Sequence, residues 1–289
     1  MDKPMSLDMK LRTLYLTGII EELEPLAKRA EQEGWTMVRY LEHLCDVELA
    51  QRARRKTERF LKQAALPEGK TLETLNQESL PLKIKRQLPT LLEAAWVKRA
   101  ENILAFGLPG RGKTHLVCAI ARELILRWDY RVYFTTTFHL VQQLLTAKRD
   151  LKIETFLDKL QRFDVLILDD IGYVQQSRDE MEVLFTFLAE CYERKSLIIT
   201  SNLVFSQWDK IFKDPMTTAA AIDRLVHHAI ILELDGDSYR AKHAKQQKQK
   251  GEETKGLTAP IPKERSIPEP SPNQSRVQTT VDPLLHGKK

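Results

Sequence analysis

Cysteine, clustered histidine and long apolar runs are what this sequence lacks, and each gap closes off a class of protein. The three cysteines, Cys45, Cys118 and Cys191, are odd in number and widely scattered, with no pair at metal-ligand spacing. Such a set fits reduced thiols in a cytoplasmic protein and not a disulfide scaffold. The seven histidines form no spaced cluster either. His227 and His228 are adjacent, and a helix running through them would point them to different faces, so zinc is not expected. No run approaches the ~18 apolar residues that a bilayer span needs. Residues 1–10 hold no apolar stretch ahead of a cleavage site. The expectation is a cytoplasmic chain with no membrane association.

What is present suits a packed core. Of 289 residues, 42% are hydrophobic, enough for one large domain or two modest ones. A formal net charge of +5 permits contact with nucleic acid without demanding it, so the placement of charge matters more than its sum.

Composition divides the chain into three regions. Residues 1–98 read as a small all-helical N-terminal domain, suited to contact DNA or a partner. There Met37, Tyr40, Leu41, Leu44 and Val47 recur at three- and four-residue spacing behind Thr36, an N-cap candidate after the breaker Gly34. Residues 19–30 carry a similar apolar face. Pro81 and Pro89 punctuate a looser stretch, and a short helix over 90–97 leads onward. Residues 99–240 alternate helical segments with short apolar runs at 102–106, 132–134, 165–168, 197–200 and 229–232. That alternation predicts an α/β fold, a parallel sheet flanked by helices on both faces. Residues 241–289 are rich in Lys, Gln, Pro and Ser and read as a basic, disordered tail.

Between the run 102–106 and a helical segment over 115–126 lies Gly107-Leu108-Pro109-Gly110-Arg111-Gly112-Lys113-Thr114, the P-loop pattern in its required context. The glycines let successive backbone N–H groups turn inward around phosphates, and the following helix N-terminus, opened by His115, adds positive potential. Lys113 would reach the β- and γ-phosphates, and the Thr114 hydroxyl would ligate Mg²⁺. Chance alone would produce this pattern in about one chain in a hundred of this length.

Downstream, the run 165–168 ends in Asp169-Asp170, which places two carboxylates at the edge of the sheet where ligands bind. Asp169 is positioned to hold Mg²⁺ through its water shell, and Asp170 to orient and polarise the attacking water. The run 197–200 ends in Ser201-Asn202, and Asn202 could bond that water or the γ-phosphate. Arg224 precedes the last strand, where an Arg in an oligomeric ATPase reaches a neighbour's γ-phosphate. Arg240, just beyond the last strand, is a candidate second sensor.

These four elements, in this order, form the AAA+ pattern, and the chain resembles the IstB family, ATP-dependent helpers of insertion-sequence transposases. The likeness rests on 101–107, on Gly112-Lys113-Thr114-His115-Leu116, on 166–172, on Asp223-Arg224-Leu225-Val226-His227-His228 and on the closing Gly236-Asp237-Ser238-Tyr239-Arg240, and it extends to the upstream run 52–75 with its Arg-Arg-Lys and Lys-Thr-Leu-Glu. The resemblance implies ATP as the nucleotide, a homo-oligomer formed with ATP, binding and remodelling of double-stranded DNA, and a cognate transposase as partner. Helicase loaders of the DnaC type share the core motifs, so loading a replicative helicase is the alternative. Two basic sets are candidates for DNA contact. Arg52, Arg54, Arg55, Lys56, Arg59 and Lys62 fall along one predicted helix, and Lys148, Arg149 and Lys152 lie between two others. A solvated helical face is the plainer reading of the first set.

Overall fold

The computed structural model describes residues 5–172, 177–203, 207–208 and 215–235; Arg240 and the tail 241–289 lie outside the described residues. The five apolar runs become strands β1 (Asn102–Phe106), β2 (Val132–Thr136), β3 (Val165–Asp169), β4 (Ser196–Ser201) and β5 (Ala229–Glu233). They form one parallel sheet in the order β2-β3-β4-β1-β5. Every residue of β1 and β4 is buried, because helices cover both faces, and strands buried on two sides read as unbroken apolar runs.

Ten helices accompany the sheet among the described residues: α1 (Leu7–Thr13), α2 (Thr17–Glu33), α3 (Met37–Ala64), α4 (Leu82–Leu92), α5 (Ala95–Lys98), α6 (Lys113–Trp128), α7 (Thr137–Arg149), α8 (Ile153–Leu160), α9 (Arg178–Cys191) and α10 (Pro215–Val226). One face of the sheet is covered by α6, α4, α5 and the C-terminal end of α3, whose Phe60 and Ala64 share a core with Ile103, Leu116 and Ile198. The other face carries α7, α9 and α10 around Leu104, Leu144, Phe187, Leu225 and Ile199. The fold is the α/β architecture expected.

Three local details differ from the sequence reading. The short helix expected over 90–97 is instead α4, which runs through Pro89, and then α5, with Ala94 in a left-handed turn between them. Pro89 costs its helix about 3 kcal/mol. Burying Ile84, Leu88 and Leu91 returns about 1.5–3 kcal/mol each, so packing prevails. Second, α3 begins at the predicted cap, with Thr36 accepting from the Arg39 N–H at 3.2 Å, yet its predicted apolar face is only partly covered, with Tyr40 and Val47 half-buried. Leu44 is buried, whereas Met37 and Leu41 are 86% and 58% exposed, since α2 covers only a narrow strip there. Third, α10 ends at Val226. His227 and His228 therefore lie in the turn before β5, with ring centroids 4.2 Å apart, not on opposite helix faces.

Candidate functional site

Register brings three strand ends side by side. Phe106 pairs with Ser201, so the cradle following β1 lies beside Asn202 following β4. Strand β3 pairs with β4 on its other side and delivers Asp169 to the same C-terminal edge, where ligands bind in open parallel sheets. Gly107 is required here for two reasons. Its φ is +150°, and a Cβ would stand 2.6 Å from the Leu234 carbonyl oxygen. Gly112 also has a positive φ, +86°, just before Lys113 opens α6. A side chain would be strained at either position.

Asp169 is the hub. Its carboxylate accepts from the Thr114 hydroxyl at 2.9 Å and 3.2 Å, and from the Thr200 hydroxyl at 2.6 Å. The Thr200 oxygen in turn accepts the Asp170 N–H at 2.8 Å, and the Thr200 carbonyl accepts the Ile171 N–H at 3.0 Å. This hook holds Asp170 at a φ of +66°, a conformation that costs a non-glycine residue about 1–3 kcal/mol and persists only where its surroundings enforce it. Asn202 donates its amide to the Asp170 carboxylate at 2.8 Å. Its carbonyl oxygen accepts from Lys113 Nζ at 2.5 Å. That ammonium, on a residue only 7% exposed, also donates to the carbonyls of Gly107 and Leu108 at 2.6 and 3.2 Å. Lys113, Thr114, Asp169, Asp170 and Asn202 thus form one hydrogen-bonded network.

The pocket beside this network is lined by Pro109, Gly110, Arg111, Gly112 and His115, and also by Lys70. Arg111 keeps Nε and Nη1 buried with no hydrogen-bond partner among the described residues. Leu108 is exposed. His115 turns toward the loop before α4, where its Nε2 lies 3.1 Å from both the Thr71 carbonyl and the Thr74 hydroxyl. Sequence reasoning gave neither Lys70 nor Thr200 a place at the site. Lys70 opens the Lys-Thr-Leu-Glu run, which counts toward the family resemblance without pointing to any chemistry, and Thr200 reads as one more β-branched strand residue until β3 and β4 are paired. Burial, reinforced by the charge of Asp169, pushes the Cys118 thiol up to about 12, leaving it un-ionised near neutrality.

Arg224 stands elsewhere. The end of α10 is tied to the start of β1, where Asn102 donates its side-chain amide to the Leu225 carbonyl at 3.1 Å and its backbone N–H to the His228 carbonyl at 2.8 Å. That edge is a strand's length, about 17 Å, from the cradle. The guanidinium lies 4.5 Å from the Phe185 ring centroid, and its Nη1 is buried without a hydrogen-bond partner among the described residues.

The basic candidates divide by their partners. On α3, Arg52 pairs with buried Glu48, Arg54 with Glu58 and Lys56 with Asp129. Arg55 donates to the Thr17 hydroxyl, Arg59 lies over the Phe60 ring, and Lys62 is exposed. Near the end of α7, Lys148 pairs with Glu182 and Arg149 with Asp150, while Lys152 is exposed. Among the described residues no helix is long and apolar enough to cross a membrane.

Comparison with known proteins shows the family. The chain is 43% identical over 243 residues to an insertion-sequence ATP-binding protein of Sinorhizobium fredii, covering 84% of this chain and 81% of that one. A second such protein, of insertion sequence IS21 from Pseudomonas aeruginosa, is 36% identical over 82% of this chain and 89% of its own length. Among solved structures, replication initiator DnaA bound to AMPPCP and single-stranded DNA shares the fold, with a TM-score of 0.51 and 22% identity over 64% of this chain and 56% of that one. The model of the IstB-like ATP binding protein family matches residues 9–247. With a P-loop at the edge of a parallel sheet and that match over most of its length, the chain belongs to the IstB-like family and is an AAA+ ATPase associated with insertion sequences.

Proposed function

We propose that this ATPase assembles with ATP into a homo-oligomer on double-stranded DNA, remodels the duplex and delivers it to a cognate transposase. Lys113 and the P-loop N–H groups bind the phosphates, and Lys113 exchanges its carbonyl and Asn202 partners for phosphate oxygens. Thr114 and Asp169 would hold Mg²⁺, and their oxygens, already in hydrogen-bond contact, are the hard donors this ion prefers. When bound, the ion neutralises charge developing on the phosphates. Asp170, oriented by Asn202 and Thr200, polarises the attacking water; its side chain is one methylene shorter than glutamate, which favours slow turnover.

The observation that carries the oligomer is Arg224. It is held by a ring stack, on a helix end pinned at the sheet edge opposite its own cradle. In that position it suits a neighbour's γ-phosphate, an interaction worth about 10³–10⁵ in rate. Stripes of arginine and lysine on α3 and the α7–α8 turn supply sequence-independent phosphate contacts.

Electron microscopy of the full chain with long duplex DNA and a non-hydrolysable ATP analogue tests this reading. The wild type should form regular assemblies on DNA. Arg224→Ala should bind nucleotide normally but lose both assembly and at least about 10³-fold of hydrolysis. Normal assembly and hydrolysis by that variant would rule out a shared site. Capture of a replicative helicase in place of a transposase would redirect the partner assignment.

A further inference from the structure

We propose that Glu193, His227 and His228 form a binding site for a divalent transition-metal cation of the zinc class. One ligand atom from each of the three side chains lies within 4.8 Å of the other two, and all three residues are exposed. They come from two turns at the sheet edge opposite the cradle. Glu193 sits in the tight turn between α9 and β4, in a left-handed conformation with φ +56°. The Cys191 carbonyl closes that turn by accepting the N–H groups of Arg194 and Lys195 at 3.1 and 3.0 Å. The two histidines sit in the turn between α10 and β5. Their backbone is pinned by the His227 N–H to the Asp223 carbonyl at 3.0 Å, and by the Asn102 N–H to the His228 carbonyl at 2.8 Å.

The donor set selects the metal. Two imidazoles and a carboxylate match the three-protein-ligand zinc sites that leave a fourth position open. They are poor ligands for Ca²⁺ or Mg²⁺, which take oxygen, and for Cu⁺, which takes sulfur. Neighbouring ligands around zinc stand about 3.3 Å apart at metal–ligand distances near 2.0 Å. Reaching that spacing asks only for rotation of exposed side chains. An outer partner is already present, since the Tyr192 hydroxyl lies 3.2 Å from His227 Nδ1, the kind of contact that fixes a ligating imidazole's orientation. Glu101 adds negative potential near His228. A cation here would staple the α9–β4 turn to the α10–β5 turn. Arg224, on the last turn of α10 and four residues before His228, stacks on Phe185 of α9, so the staple would hold together the two helices that this contact joins.

The test uses the full chain, without a polyhistidine tag and without nucleotide, titrated with Co²⁺ and then with Zn²⁺ against a chromophoric chelator. One equivalent of Co²⁺ should bind with visible absorption and be displaced by Zn²⁺. The double variant H227N/H228N should lose that equivalent, and E193Q should weaken it at least about tenfold. Binding of a fluorescent ATP analogue to the same variants checks their folding and reads the P-loop separately. Failure of wild-type chain to bind Co²⁺, or retention of the full equivalent by H227N/H228N, would overturn the proposal. Should the double variant fail to fold, unchanged affinity in E193Q would overturn it equally.

Discussion

Thr200 shows how much of the site hangs on a side chain that no motif announces. Its hydroxyl hydrogen goes to Asp169 and its oxygen receives the Asp170 N–H, so one oxygen orders both carboxylates. Thr200→Val keeps the shape of a residue that is 1% exposed but takes the hydroxyl acceptor from the part-buried Asp170 N–H, a loss of about 1 kcal/mol. We expect kcat for ATP hydrolysis to fall about tenfold to a hundredfold while nucleotide affinity stays within about threefold, because Thr200 positions the two carboxylates proposed to act in the chemical step. Thr200→Ser should restore most of kcat, and an equal loss in both variants would refute the positioning role. The neighbouring residues were legible from sequence because they are announced locally: the cradle by its glycines, Asp169, Asp170 and Asn202 by their place at the ends of apolar runs. Thr200 was not, and neither was the meeting of Glu193 with His227 and His228. Both depend on which strand lies beside which and on where α10 stops.

Among the elements, α2 lacks a capping side chain of its own, since Leu16 at its N-cap has none to offer. Glu48 of α3 supplies one from outside. Its buried carboxylate accepts the N–H groups of Gly18 and Ile19 at 2.8 and 3.4 Å and the Arg52 guanidinium at 2.7 Å. Gly18 lets the helices approach closely, because a Cβ there would stand 3.2 Å from the Glu48 Cα of α3. Burial pushes the Glu48 carboxyl up, but the Arg52 bond and the two N–H groups outweigh it and hold the group below the ordinary carboxylate range. A lowered folded-state value stabilises above the unfolded value, and that stability is lost as pH falls through the folded one. Glu48→Gln should therefore cost about 1–3 kcal/mol near neutrality, and the gap between variant and wild type in thermal unfolding should close as the solution is acidified. A gap that stayed constant into acid would refute the charged-cap account. Sequence periodicity marked the start of α3 but not this contact, because a carboxylate within a charged helix looks like any solvated residue.

At the scale of the whole molecule, charge is spread unevenly along α3. Arg52, Arg55, Arg59 and Lys62 fall within an arc of about 80° on the helix. Of these, Arg55, Arg59 and Lys62 have no carboxylate partner among the described residues. If this stripe contacts phosphates, the triple variant R55A/R59A/K62A should weaken duplex binding uniformly across sequences. It should also flatten the slope of log affinity against log salt by about 2–3, with nucleotide affinity unchanged. A filter-binding series over salt reads both quantities, and an unaltered slope would remove α3 from the interface.

The same helix has a mechanical property. Its 28 residues make a rod about 42 Å long, seated at one end where Phe60 and Ala64 enter the core that α6 carries down from the phosphate cradle. At the other end Met37 and Leu41 stand in solvent. Such a rod is a lever: a tilt of about 5° where Phe60 is seated sweeps Met37 through about 3 Å. A shift at the nucleotide too small to notice in the sheet would arrive at the far tip as a displacement the size of a hydrogen bond.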